Sequence, residues 1–147
     1  MELPEKPNRG YELLQGSAVF SGKILGGCLD TIFDIFDGER YENSPELCSK
    51  YQLFPSKNEW KGKILLLETK LKETGVFEAV NGLLIGKPMD ETYYEEYKKV
   101  LIETIDNLAL PIVYNVNIGH ALPRCIIPFG IEATVEVEKQ RISFQAE

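Results

Sequence analysis

Apolar and polar positions along this chain fall into three kinds of pattern. The first is the short continuous apolar run. Lys63-Ile-Leu-Leu-Leu67, Leu83-Leu-Ile85 and Pro111-Ile-Val-Tyr114 are of this kind, as expected of strands covered on both faces. The second is strict alternation. Ala133, Val135 and Val137 alternate with Thr134, Glu136 and Glu138, and Arg141-Ile-Ser-Phe144 alternates likewise. With Lys139-Gln140 as the link, this predicts an antiparallel hairpin with one wet face. The third is helical spacing. Tyr94, Tyr97, Leu101, Ile105 and Leu108 form one apolar stripe, and Leu25, Leu29, Ile32, Phe33 and Phe36 form another that stops at Gly38.

Punctuation between these runs sets the element order. Tyr11–Leu14 and Ser17–Phe20 read as strands parted by Gly16, with Ser21-Gly22 as a turn or bulge before Lys23–Leu25, and Gly26-Gly27 ending the strand. Residues 37 to 62 are polar and carry Pro45 and Pro55, so a surface excursion is expected, with a turn of helix around Pro45–Cys48. Trp60, at its end, either stacks on a ligand or closes a core edge, and the second is the commoner use. Leu71–Val80 suits about two turns of helix, interrupted near Gly75. Asn81-Gly82 turns into the next strand, which Gly86 closes. Asp90 is placed to N-cap the long helix, Glu91 suits its first turn, Glu95 and Lys99 form a supporting pair, and the helix ends near Asn107. Strand, short helix, strand, long helix, strand implies a parallel βαβαβ segment. With the early strands and the C-terminal hairpin, the expected fold is α/β with a mixed sheet, in one domain over residues 1–147.

Composition narrows the function classes. The net charge is −7 and lysines and arginines form no stripe, which argues against a nucleic-acid partner. No apolar stretch approaches the ~20 residues of a membrane span, and the opening Met1–Pro7 is too polar for a signal peptide. Three cysteines, Cys28, Cys48 and Cys125, show no metal-ligand spacing, so reduced thiols in a cytoplasmic protein are expected, with neither structural zinc nor another cofactor. A helix opening on Gly26-Gly27 could cradle an anion, but a lone glycine pair is a weak signal and a tight strand-to-helix turn is the better reading.

Candidate chemistry centres on His120, the one histidine of the chain, held between Gly119 and Pro123 just past the apolar run 111–114. In open α/β sheets the ligand crevice lies beyond the carboxyl ends of the parallel strands. Glu68 directly follows the first such strand and His120 lies shortly beyond the third, so both fall on one rim. A carboxylate beside an imidazole holds its tautomer and stabilises the imidazolium, which is two thirds of a nucleophilic triad. The plainer alternatives are a backbone-capping Glu68 and a satisfied structural His120. A non-catalytic binding module would keep the crevice without needing the pair. A cysteine hydrolase built on Cys125 and His120 is disfavoured, because both lie in one short loop and Ile126-Ile127 predicts a buried, inert thiol.

Five stretches in order carry a family resemblance: Gly26-Gly-Cys-Leu29, Lys63-Ile-Leu-Leu-Leu-Glu-Thr69, Gly75-Val-Phe77, Asn81-Gly-Leu-Leu-Ile-Gly-Lys-Pro88 and Asn117-Ile-Gly-His-Ala-Leu-Pro-Arg-Cys-Ile-Ile-Pro-Phe-Gly130. Over about residues 11 to 144 the chain resembles the carboxy-terminal domain of the S66 serine peptidases, which include the LD-carboxypeptidases and the microcin C immunity proteins. It is most similar to the microcin-immunity-like branch. The resemblance implies a swivelling β/β/α fold and a Ser-Glu-His triad in which Glu68 and His120 are the second and third members. It places the nucleophilic serine on a separate amino-terminal domain, in a Gly-x-Ser-Asp-like turn that none of Ser17, Ser21, Ser44, Ser49, Ser56 and Ser143 matches. It further implies a homodimer acting on peptidoglycan tetrapeptides at an L,D bond, or on peptidyl-nucleotides at an acyl linkage. One departure is local: six residues separate Glu68 from Gly75, where the family carries a further helical segment.

Overall fold

The three continuous apolar runs lie side by side at the centre of one sheet. The computed structural model describes residues 9–27, 44–51, 57–67 and 76–145. Its strands are β1 (Glu12–Gln15), β2 (Val19–Gly27), β3 (Lys63–Leu67), β4 (Gly82–Gly86), β5 (Ile112–Val116), β6 (Glu132–Glu136) and β7 (Arg141–Phe144). They form a seven-stranded mixed sheet in the order β1-β5-β4-β3-β2-β6-β7. The fold is α/β, of the swivelling β/β/α type, with β3, β4 and β5 parallel as their spacing predicts and β6–β7 the expected antiparallel hairpin.

Both faces of the centre are covered, which is why β3 to β5 read as unbroken apolar runs. Leu65, Leu83, Ile85, Ile112 and Tyr114 pack on one face with Trp60, Val76, Phe77, Tyr94 and Ile105. Ile64, Leu66, Leu84 and Val113 pack on the other with Phe20, Ile24, Ala133 and Val135. Trp60 is therefore a core-closing residue.

Two strands, not three, precede residue 28 among the described residues. Ser21-Gly22 is not a turn: β2 runs straight through it, alternating exposed Val19, Ser21 and Lys23 with buried Phe20, Gly22 and Ile24. Its residues 19–23 pair antiparallel with β6 and its residues 23–27 pair parallel with β3. Ser21 stays in the ladder because its partner across the pair is Thr134, and their hydroxyls bond at 2.9 Å. Such a cross-strand hydroxyl pair favours sheet over turn.

Helix α1 (Ser44–Tyr51) occupies the polar excursion and extends the turn expected around 45–48. Of the helix expected over 71–80, the described part is a 3-10 turn at Val76–Glu78, and the stripe Leu29–Phe36 lies outside the described residues. Helix α2 (Tyr94–Ile105) is capped at Tyr93, three residues later than an Asp90 cap requires. Asp90 instead accepts bonds from the Thr92 amide at 2.9 Å and hydroxyl at 2.6 Å, closing a turn ahead of the helix. At the other end Asp106 takes a left-handed conformation (φ 46°), and Leu108 leaves the stripe, 79% exposed. Glu95 reaches Lys98 at 2.9 Å rather than Lys99, because Lys98 is already drawn to that side by Glu12 at 2.7 Å.

That contact ties the edge strand β1 to α2. The Glu12 carboxylate also accepts from the Tyr94 hydroxyl. Desolvation pushes the Glu12 carboxyl up, but the bonds from Lys98 and Tyr94 outweigh it and the net shift is downward. A depressed folded-state value stabilises the fold above the unfolded value, and that contribution is lost as pH falls through the folded one. Acid melts should therefore lose stability from the ordinary glutamate range downward, and Glu12→Gln should flatten that part of the profile. A Glu12→Gln profile of unchanged slope would show that the contact carries no linkage.

Candidate functional site

The site forms where β4 and β5 end. Beyond Gly86 the chain continues as Lys87-Pro88-Met89, and beyond Val116 as the loop carrying His120. A cleft of about 260 Å³ lies between them, lined by Ile85, Gly86, Lys87, Pro88, Met89, Tyr97, Gly119 and His120. It therefore sits past the carboxyl ends of two parallel strands, where ligand crevices of such sheets lie.

A bulge aims the His120 loop. Leu84 pairs with Val113, but Gly86 pairs with Val116, so β5 carries one extra residue. Asn115 takes up the excess at φ 62°. Its buried side chain donates to the Gly10 carbonyl at 2.9 Å. Asparagine tolerates this left-handed region better than most residues. The bulge turns Val116 onto the opposite face from Tyr114, and bulges commonly redirect side chains beside functional sites. The redirected chain is then stitched to β4. The Lys87 amide donates to the carbonyls of Val116 (2.9 Å) and Ile118 (3.3 Å).

Gly119 at φ 93° makes the turn that presents His120, a conformation a β-carbon would oppose. His120 itself is exposed. The loop proceeds through a cis Leu122–Pro123 bond. It closes through the Cys125 amide to the Asn117 carbonyl at 2.7 Å, and the Gly130 amide to the Ile24 carbonyl at 2.9 Å. The sequence thus identifies a shaped loop correctly from Gly119 and Pro123.

Cys125 corrects one expectation. It is exposed, not buried. It is nevertheless a poor nucleophile, since desolvation pushes its thiol up and its sulfur donates to the Asn117 carbonyl at 3.1 Å. Ser17, Ser21 and Ser143 bond within strands and turns, and none lines the cleft. No group of three metal-ligating side chains occurs among the described residues, and no helix among them is long and apolar enough to cross a membrane.

Glu68 lies outside the described residues, so the structure brings His120 to the cleft without testing its partner. In sequence Glu68 follows Leu67, the last residue of β3, whose neighbour across the ladder is Ile85 of the cleft wall.

Lys87 is the cleft residue that its own chemistry did not single out in the sequence. It is 3% exposed, and its Nζ has no hydrogen-bond partner among the described residues. Burial pushes its ammonium down, against a weaker pull from Glu91. The available signal was a cation wedged between a strand-ending glycine and a proline.

Comparison with known proteins gives this geometry a context. The LD-carboxypeptidase C-terminal domain family matches residues 21–135. The chain is 25% identical over 145 residues to the microcin C7 self-immunity protein MccF of Escherichia coli, covering 95% of this chain and 41% of that protein. The crystal structure of an MccF-like protein from Streptococcus pneumoniae in complex with AMP superposes with a TM-score of 0.84 at 53% identity, covering 94% of this chain and 44% of that one. MccF in complex with glutamyl sulfamoyl guanosine shares the fold, with a TM-score of 0.69 at 21% identity over 93% of this chain and 41% of that one. The chain spans about two fifths of the length of the curated relatives it matches along nearly its whole length.

Proposed function

The chain belongs to the LD-carboxypeptidase C-terminal domain family, and from that premise we propose that it is the half of a serine-type carboxypeptidase or amidase that supplies Glu68 and His120 of a Ser-Glu-His triad. The observation carrying this reading is the placement of His120 in the cleft past β4 and β5, within the family-matched segment that also contains Glu68. The serine belongs to an amino-terminal nucleophile domain. His120 deprotonates that serine as it attacks the scissile carbonyl, then returns the proton to the leaving group. Glu68 holds the imidazole tautomer and stabilises the imidazolium. The substrate is a cytoplasmic peptide cut at an L,D bond or a peptidyl-nucleotide cut at its acyl linkage. The AMP complex of the relative at 53% identity supports the nucleotide alternative.

On this reading residues 1–147 act as one domain whose natural neighbour is the nucleophile domain. Exposed apolar side chains such as Ile126, Phe129 and Val19 favour association, and the complete enzyme is a homodimer. Sedimentation of the chain should show a concentration-dependent dimer. A strict monomer at high concentration would count against it.

The deciding experiment assays the chain alone, and again with a serine-bearing amino-terminal domain, on an L,D-tetrapeptide and an acyl-sulfamoyl adenylate. The chain alone should be inactive and the added domain should restore turnover. Turnover by the chain alone, abolished by Glu68→Gln or His120→Ala, would put the nucleophile inside this chain and end the divided-triad reading.

A further inference from the structure

We infer that Lys87 is the anion-receiving residue of the His120 cleft, its ammonium taking an oxyanion of the bound ligand. The inference rests on the reading above that this cleft is the substrate site. Lys87 lines the same cleft as His120, and its backbone amide bonds to both carbonyls that begin the His120 loop. The residue is thus fixed relative to the imidazole.

The argument turns on what surrounds the ammonium. Long cationic side chains commonly bury their stems and leave the charged end in water. Lys87 buries the end too: Nζ is inaccessible and has no hydrogen-bond partner among the described residues. A buried unpaired charge is costly and is seldom kept without a partner. The carboxylate that acts on it is Glu91, which is itself engaged by Arg9 at 3.2 Å. Among the described residues, its three donor positions therefore face no protein acceptor. An oxyanion in the cleft would supply the missing acceptors, and the flexible lysine stem lets the ammonium follow it. Desolvation, which makes the free ammonium unfavourable, also strengthens the pairing once an anion arrives.

Two ligand sources present this chemistry: the free carboxylate of a peptide and the phosphoryl group of a nucleotide. The test titrates the 147-residue chain by NMR with two pairs of probes. One pair is AMP and adenosine. The other is an N-acetylated dipeptide ending in D-alanine and its C-terminal amide. In at least one pair, Lys87→Met should weaken the charged probe roughly tenfold or more. It should leave the neutral probe unchanged, and Lys87→Arg should recover most of the loss. The pair that responds identifies the source. Because Met removes an unpaired charge and keeps the stem, its thermal midpoint should equal or exceed the wild type.

Equal weakening of charged and neutral probes, with a lowered midpoint, would mean a structural ammonium and overturn the inference. So would an absence of any charge-dependent binding by the wild-type chain. If Lys87-dependent binding holds but reconstituted turnover never appears, the anion site stands and the hydrolytic reading falls instead.

Discussion

In the reconstituted two-domain enzyme, His120→Ala is expected to lower kcat by about 10⁴-fold or more, while the dissociation constant of a non-hydrolysable ligand changes little. The size follows from the proposed role: without the imidazole, the serine hydroxyl would have no base in hydrogen-bond reach. His120 is exposed and lies on a loop stitched together by its own backbone, so its truncation removes no core packing and the thermal midpoint should hold. Glu68→Gln should cost less than His120→Ala but still orders of magnitude, since a glutamine can hydrogen-bond the ring yet cannot stabilise its cation. A double variant no worse than His120→Ala alone would show the two acting as one unit. A kcat within about tenfold of wild type for His120→Ala would remove the histidine from the chemistry altogether.

The second large effect concerns stability. Gly26→Ala should destabilise the chain by about 3 kcal/mol or more and lower its midpoint by roughly 10 °C. Gly26 sits in the parallel half of β2 opposite Leu66, with φ at +136°, and a β-carbon there would lie 2.1 Å from the Leu66 carbonyl oxygen. Neither part can be relieved locally. The dihedral is closed to side chains, and the obstructing atom is backbone in the middle strand of a sheet. Thermal melts of the two proteins give the difference directly, and a midpoint shift under about 2 °C would show that β2 can move away from β3.

What the sequence disclosed follows from which forces act alone at a position. Lys63–Leu67, Leu83–Ile85 and Pro111–Tyr114 are legible because burial on both faces leaves one kind of residue. Ser21-Gly22 misleads because a small polar pair fits a turn and an alternating strand equally, and only the distant Thr134 decides. Asp90 has the chemistry of a cap but stabilises the turn before the helix. Asn115 hides inside an apolar run: nothing local reveals that it absorbs an extra residue and so directs the next loop. In the site, His120 is legible from its flanking glycine and proline. Lys87 is not, since lysine at a strand end is ordinarily solvated and its burial depends on the cleft that three separate segments build. Glu68, the partner proposed for His120, falls among residues the structure does not describe.

The double pairing of β2 also constrains the order of events on the ribosome. Its parallel half needs β3, a few dozen residues later, but its antiparallel half needs β6, as Val19 opposite Glu136 shows. The edge strand β1 waits similarly for β5, since Glu12 pairs with Tyr114. At ordinary rates of synthesis, about 5–20 residues per second, β1 and β2 stand unpaired for roughly ten seconds before these later partners leave the exit tunnel. During that interval Leu13, Val19 and Phe20 are an open apolar edge on a nascent chain, a natural point of engagement for holding chaperones.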